Sequence, residues 1–224
     1  IVHYGIQAGS EPKPYTGDAP NFLCIGRLIP IKGHVVLLRA FRKVLDEVPN
    51  ATLEIAGRGV LEHGLKDLAR ELDLQDSVKF LGHVTPVQSS IEQSLAVVVP
   101  SLGEGFGMVA LEAMERARPV IAAAIGGLED IVREGETGLL VPPGEADPLA
   151  EAMIALAKDP ALANTMGAAA RARAIERFPE DRCTERTEEV YRYWLEARLN
   201  GRARGALETA ATANTASTQS HDTR

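Results

Sequence analysis

The feature that most constrains this chain is a rhythm in which five short apolar runs, 21–26, 51–56, 78–81, 95–99 and 119–123, alternate with helix-length segments. Strands separated by such crossovers read as βαβ units, which build parallel sheets. The stretch Ala96-Val97-Val98-Val99 is continuously apolar instead of alternating, the pattern of a strand covered by helices on both faces. The expected fold class is α/β: a mostly parallel sheet with helices on both faces.

Helices are expected near 34–48, 60–73, 86–93 and 107–117, and a sixth strand at 138–141. Thr85-Pro86, Asp147-Pro148 and Asp159-Pro160 each read as an N-cap followed by proline at the first helical position. Two alanine-rich helices and a last one from about Pro179 to Leu199 make the C-terminal third a helical extension. Glu11-Pro12-Lys13-Pro14 to Gly17 marks residues 1–20 as a linker, leaving 21–200 as the domain. Residues 201–224 hold almost no large apolar side chains and are expected to be a disordered tail.

Charge and cysteine usage narrow the function classes. Lys and Arg number 24 against 31 Asp and Glu, a net charge of -7, which argues against nucleic acid or an anionic membrane as the main partner. Any phosphate site must therefore be local. Cys24 and Cys183 are far apart and lack metal-ligand spacing, which suits a reducing compartment. No apolar run reaches the length of a membrane span, and Ile1 to Gly5 lack the pattern of a secretory signal, so a cytoplasmic location is expected.

The segment Pro100-Ser101-Leu102-Gly103-Glu104-Gly105-Phe106-Gly107-Met108-Val109 is a strand end, a glycine-rich loop and a helix start. In parallel sheets ligands settle beyond the carboxyl ends of strands, and the following helix offers free N–H groups to an anion. At about 100° per residue, Val109, Ala110, Ala113, Met114 and Ala117 form the buried arc, with Glu112 about 60° outside it. Glu112 lies roughly 7.5 Å along the axis from Gly107. It either accepts hydrogen bonds from two ribose hydroxyls or pairs with Arg116 at i+4. Glu104 precedes the helix, where it either meets ligand hydroxyls or serves as a charge favoured by the dipole.

A second cluster, Gly26-Arg27-Leu28-Ile29-Pro30-Ile31-Lys32-Gly33, also follows a strand. Its two cations are either solvated surface groups or a clamp that stabilises a departing diphosphate in place of a metal. Gly57-Arg58-Gly59 and Gly126-Gly127 read first as tight turns needing positive φ, with ligand contact as the second reading. His3, His34, His63, His83 and His221 show no metal-ligand spacing and read as surface or capping residues. Trp194 with Tyr191 and Tyr193 reads as packing of the last helix.

Taken together, Gly26-Arg27 with Lys32-Gly33, Val78-Lys79-Phe80-Leu81-Gly82, and Glu104 and Glu112 separated by seven residues closely resemble glycosyltransferase family 4, the group 1 glycosyltransferases. The likeness continues through Pro119-Val120-Ile121-Ala122, Gly126 to Val132 and Gly138 to Gly144, covering roughly residues 1–195. It implies the C-terminal, Rossmann-like half of a GT-B fold that binds a nucleotide-diphosphate sugar without a required metal or other cofactor. By this resemblance Arg27 and Lys32 hold the diphosphate, Glu104 the donor-sugar hydroxyls and Glu112 the ribose, with Arg27, Lys32 and Glu104 as the catalytic set. Gly105, Phe106, Gly107, Met108 and Val109 line the sugar and phosphate, while Gly82 and His83 align with the base-contacting stretch.

Ile1-Val2-His3-Tyr4-Gly5-Ile6 resembles the family's interdomain linker, with Tyr4-Gly5 where Asn-Gly is common. The acceptor-binding N-terminal domain is then absent from this sequence, and with it any membrane contact. The expected activity is that of a retaining hexosyltransferase once that domain is supplied, the chain alone being weakly active or inactive. A non-catalytic nucleotide-sugar-binding subunit is the alternative. A nucleotide-sugar epimerase and a nicotinamide-dependent oxidoreductase are disfavoured, the second by its missing glycine fingerprint.

Overall fold

A computed structural model describes residues 4–199, so the expected tail at 201–224 lies outside the described residues. The sheet domain and the last helix form separate compact units. In the sheet domain the described residues build a six-stranded sheet, every pair parallel, from β1 (Asn21–Ile25), β2 (Thr52–Ala56), β3 (Val78–Gly82), β4 (Ala96–Val99), β5 (Val120–Ala123) and β6 (Gly138–Val141). Their order is β3-β2-β1-β4-β5-β6. The chain winds outward one way from β1 and then, starting at β4, the other way. The strand order therefore reverses between β1 and β4, the place where α/β folds hold ligands.

Alternation along each strand accounts for the two cores. Phe22 and Cys24 of β1, with Ala96 and Val98 of β4, face one side, packed with Leu37 and Phe41 of α1 (His34–Glu47) and Met153 and Leu156 of α6 (Ala146–Lys158). Leu23, Val97 and Val99 face the other, under Ala110, Ala113 and Met114 of α4 (Met108–Glu115) and Ala170 and Ala174 of α7 (Pro160–Arg177). Both faces are buried, which is why the strands read as unbroken apolar runs. The remaining crossover helices are α2 (Glu62–Glu71), α3 (Gln88–Gln93) and α5 (Gly127–Ile131).

Several boundaries differ from expectation for identifiable reasons. Thr85-Pro86 does not cap α3: the Thr85 hydroxyl lies 3.0 Å from His83 Nε2, and Val87 precedes the first helical residue. The helix α6 begins one residue before Asp147, with Glu145 as N-cap, so Pro148 falls inside the first turn, where a missing N–H costs no helical bond. Asp159 does cap α7, accepting from Leu162 N at 2.9 Å. Gly126-Gly127 form more than a turn, because they open α5, with Gly126 at φ 57. On α4 the buried set shifts: Leu111 and Glu115 are buried, whereas Val109 and Ala117 are half-buried.

The segment before β1 is extended and tied down by side chains. Tyr15 exchanges two hydrogen bonds with Asn164, and the buried Arg118 donates to the Lys13 carbonyl from both Nη1 and Nη2 at 3.1 Å. Glu115, only 5% exposed, accepts from Gly9 N at 2.8 Å and Arg171 Nη1 at 3.0 Å, with Arg116 Nε 2.8 Å away. The separate last helix, α8 (Glu180–Leu199), carries Tyr193 edge-on to Trp194 at 5.7 Å. Tyr191 and Tyr193 are exposed, so within the described residues they do not serve as packing.

Removing the Glu115 carboxylate leaves two arginines without their buried counter-charge. Glu115→Ala is expected to cost about 3 kcal/mol of stability, measured as a shift in the urea unfolding midpoint at constant slope.

Candidate functional site

Three loops meet where the strand order reverses, and glycines set how closely they approach. Residues 26–33 leave β1 through a short 3-10 turn, Pro30–Lys32, and end at Gly33 with φ 70. A Cβ at Gly33 would stand 1.9 Å from the Pro100 carbonyl oxygen, so only glycine lets this backbone cross the exit of β4. Leu102 N donates to Ile31 O at 2.7 Å, joining the same two loops. On the far side a Cβ at Gly126 would lie 2.1 Å from the Glu104 carbonyl oxygen, and Gly127 N donates to Gly105 O at 3.2 Å.

This convergence brings together groups far apart in sequence. Lys32 Nζ lies 2.6 Å from Glu104 Oε2, and Ser101 Oγ donates to the same oxygen at 3.1 Å. The pair is 23% and 14% exposed, sheltered enough that its attraction is not fully screened by water. It borders a cavity of about 410 Å³ whose floor is Cys24, Ile25 and Val99 at the strand ends and whose wall is Gly105 to Val109 at the start of α4. Tyr4 closes one side, its ring 5.6 Å from that of Phe106, which meets Phe178 edge-on at 6.0 Å.

A second depression of about 610 Å³ shares Ile25 and lies over the ends of β1, β2 and β3, bordered by Arg27, Arg58, His83, Val84 and Val87. The sequence's two loop cations are thus divided, Lys32 in the first cavity and Arg27 in the second. Gly82, with φ 67, accepts from Gly57 N at 2.7 Å and shapes the loop edge without lining either cavity.

Glu112 is half-buried on α4 and lines neither cavity. Its pairing with Arg116 does not form, since Arg116 is taken by Glu115 at 2.8 Å and Glu92 at 3.1 Å. Desolvation raises the Glu112 pKa above its ordinary value, and no ion pair offsets that among the described residues. Burial likewise pushes the Cys24 thiol up to about 12, leaving it an inert thiol.

Sequence reasoning missed His34, Ser101, Cys24 and Tyr4 as cavity residues, and ranked ligand contact at Arg58 second to a turn. His34 is not at the surface: it is 1% exposed, and burial, reinforced by the charge of Lys32, lowers its pKa to about 4. The signal was present in its position, one residue past the Lys32-Gly33 turn. Among the described residues no group of three His, Cys, Asp or Glu is placed to hold a metal ion, and no helix is long and apolar enough to cross a membrane.

Comparison with known proteins places this architecture. Residues 10–173 match the family model of glycosyl transferases group 1. The chain is 34% identical over 197 residues to a glycogen synthase of Mycobacterium tuberculosis, covering 85% of this chain and 47% of that protein. It is 37% identical over 199 residues to a D-inositol 3-phosphate glycosyltransferase of Streptomyces scabiei, covering 84% and 44% respectively. The crystal structure of HepE from Anabaena in complex with UDP-glucose superposes with a TM-score of 0.74 at 27% identity, over 79% of this chain and 49% of that one. The chain belongs to the group 1 glycosyltransferases, a family of transferases with the GT-B fold, and spans about half the length of the curated relatives it matches.

Two titrations follow from burial. A raised Glu112 pKa means that the ionised carboxylate opposes folding at neutral pH, and that the penalty fades as pH falls into the carboxylate range. Glu112→Gln is therefore expected to melt above the wild type at pH 7, with the gap closing at acid pH in thermal scans. His34 has the opposite sign. Its folded value of about 4 lies below the ordinary 6.5, so the unfolded chain takes up a proton first and stability falls between those two pH values. His34→Leu is expected to flatten that part of the stability profile.

Proposed function

We propose that this chain is the donor-binding domain of a retaining, metal-independent glycosyltransferase of family 4, acting on a nucleoside-diphosphate sugar in the cytoplasm. The observation that carries the reading is the Lys32–Glu104 pair at the edge of a cavity between β1 and β4, opposite the start of α4. A cation and a carboxylate that hold one another at 2.6 Å can each exchange that partner for a complementary group of one ligand. Lys32 takes a phosphate oxygen and Glu104 takes sugar hydroxyls, so little electrostatic energy is lost on opening the pair.

The donor spans both depressions. Its hexosyl group occupies the 410 Å³ cavity among Glu104 and the backbone of Gly105, Phe106, Gly107, Met108 and Val109. Its nucleoside lies across Ile25 in the larger depression, with Arg27 on the diphosphate and the Gly82-His83 stretch beside the base. Glu112 borders neither depression, and its ribose role rests on the family resemblance together with its being a desolvated carboxylate free of Arg116. HepE, solved with UDP-glucose, supports a donor of this class.

In the reaction the bond between the anomeric carbon and the leaving phosphate breaks while the acceptor oxygen bonds on the same face. The acceptor proton passes to the departing phosphate. Lys32, Arg27 and the α4 N-terminus stabilise the negative charge that grows there, the role a divalent ion fills elsewhere. Glu104 orients the sugar and is not a hydrolytic acid. The acceptor is held by a domain facing this one across the cleft.

Isothermal titration of the purified chain against UDP, GDP, ADP and TDP tests the reading. One of them is expected to bind, and Lys32→Ala and Glu112→Ala are each expected to weaken that binding roughly tenfold or more, the scale of a lost charged hydrogen bond. Failure of all of them to bind the wild type overturns the donor site.

A further inference from the structure

The buried face of α1 runs His34, Leu37, Leu38, Phe41, Val44 and Leu45, an apolar stripe at helical spacing whose first member is a histidine. Packing alone favours leucine or valine there. The imidazole is 1% exposed, yet neither Nδ1 nor Nε2 has a hydrogen-bond partner among the described residues. Buried polar atoms are nearly always paired, so an unpaired one in a native chain calls for a specific reason. A residue that breaks the local rule without a structural return points to a functional site.

The surroundings supply that reason. His34 borders the same cavity as Lys32, Ser101 and Glu104, and those three are already bonded to one another. Cys24, the other buried polar neighbour lining the cavity, offers only a weakly hydrogen-bonding thiol. The ring is held in place by its backbone: it follows Gly33, whose crossing of Pro100 fixes where α1 starts. Its pKa of about 4 keeps it neutral, so it carries one N–H donor and one acceptor at physiological pH without adding a second charge beside Lys32.

We infer that His34 is a ligand-binding residue of this cavity, its neutral imidazole donating a hydrogen bond to a phosphate oxygen of the nucleoside diphosphate that Lys32 meets. This rests on the donor-site reading and adds to it a contact made from a buried residue lining the cavity. Lys32 supplies attraction without direction, as a flexible point charge does. The rigid imidazole supplies direction, fixing which oxygen faces the helix.

The test uses the full chain, the nucleoside diphosphate that the wild type binds, and two variants. His34→Leu matches the stripe and is expected to fold with an unchanged or higher melting temperature at pH 7, yet bind roughly tenfold or more weakly. His34→Gln restores a donor and an acceptor and is expected to recover part of the affinity. In the wild type the ring nitrogen resonances of His34 are expected to shift on titration in a histidine-selective nitrogen-15 spectrum, a readout that does not depend on the variants folding. Unchanged affinity in His34→Leu, or ring resonances that stay still as the nucleotide saturates, overturns the inference while leaving the donor site standing. Absence of binding to the wild type removes both.

Discussion

The site depends on a single backbone crossing, that of Gly33 over the Pro100 carbonyl. The strand order alone puts β1 beside β4 and so defines a crevice, but many sheets have such a crevice without filling it usefully. Here the loop from β1 passes so close to the exit of β4 that a Cβ would overlap the carbonyl oxygen. That contact fixes three things together: where the 3-10 turn ends, where Lys32 points and where α1 starts. With the Leu102–Ile31 hydrogen bond, it brings Lys32 and Glu104, 72 residues apart, together.

Much of the fold was legible because burial on both faces leaves a coarse trace. Unbroken runs such as 96–99 need no alternation to be recognised, and all six strands fall within a residue or two of where the apolar runs sit. What was illegible depends on contacts between loops. The five-residue α5 has little periodicity to read, and it forms where Gly126 and Gly127 press against the backbone of Glu104 to Phe106. Capping was misread at Thr85 and Asp147 because both side chains found other partners, His83 and Lys43.

The candidate site was legible in its residue types and less so in its arrangement. Arg27 and Lys32 look like one clamp in sequence, yet the 3-10 turn between them sends them into adjacent depressions. The rival partner for Glu112 was Arg116, and the reason it is unavailable lies in Glu92 and Glu115, the first of them on another helix. His34 escapes notice because a polar residue after a loop reads as exposed; it stands instead at the head of the buried face of α1.

Ile6 N donates to Phe178 O at 2.9 Å and Ile6 bridges Pro179, so the polypeptide enters and leaves this domain side by side. One hydrogen bond and one bridge thus fasten the two ends of this domain to each other at a narrow isthmus. Tyr4, two residues before that isthmus, touches the Phe106 ring on the cavity wall, and Phe106 in turn touches Phe178 just before the exit. The paired ends of the sheet domain and the wall of the candidate cavity therefore have aromatic rings in common, so whatever shifts Tyr4 or Phe178 is felt at Phe106.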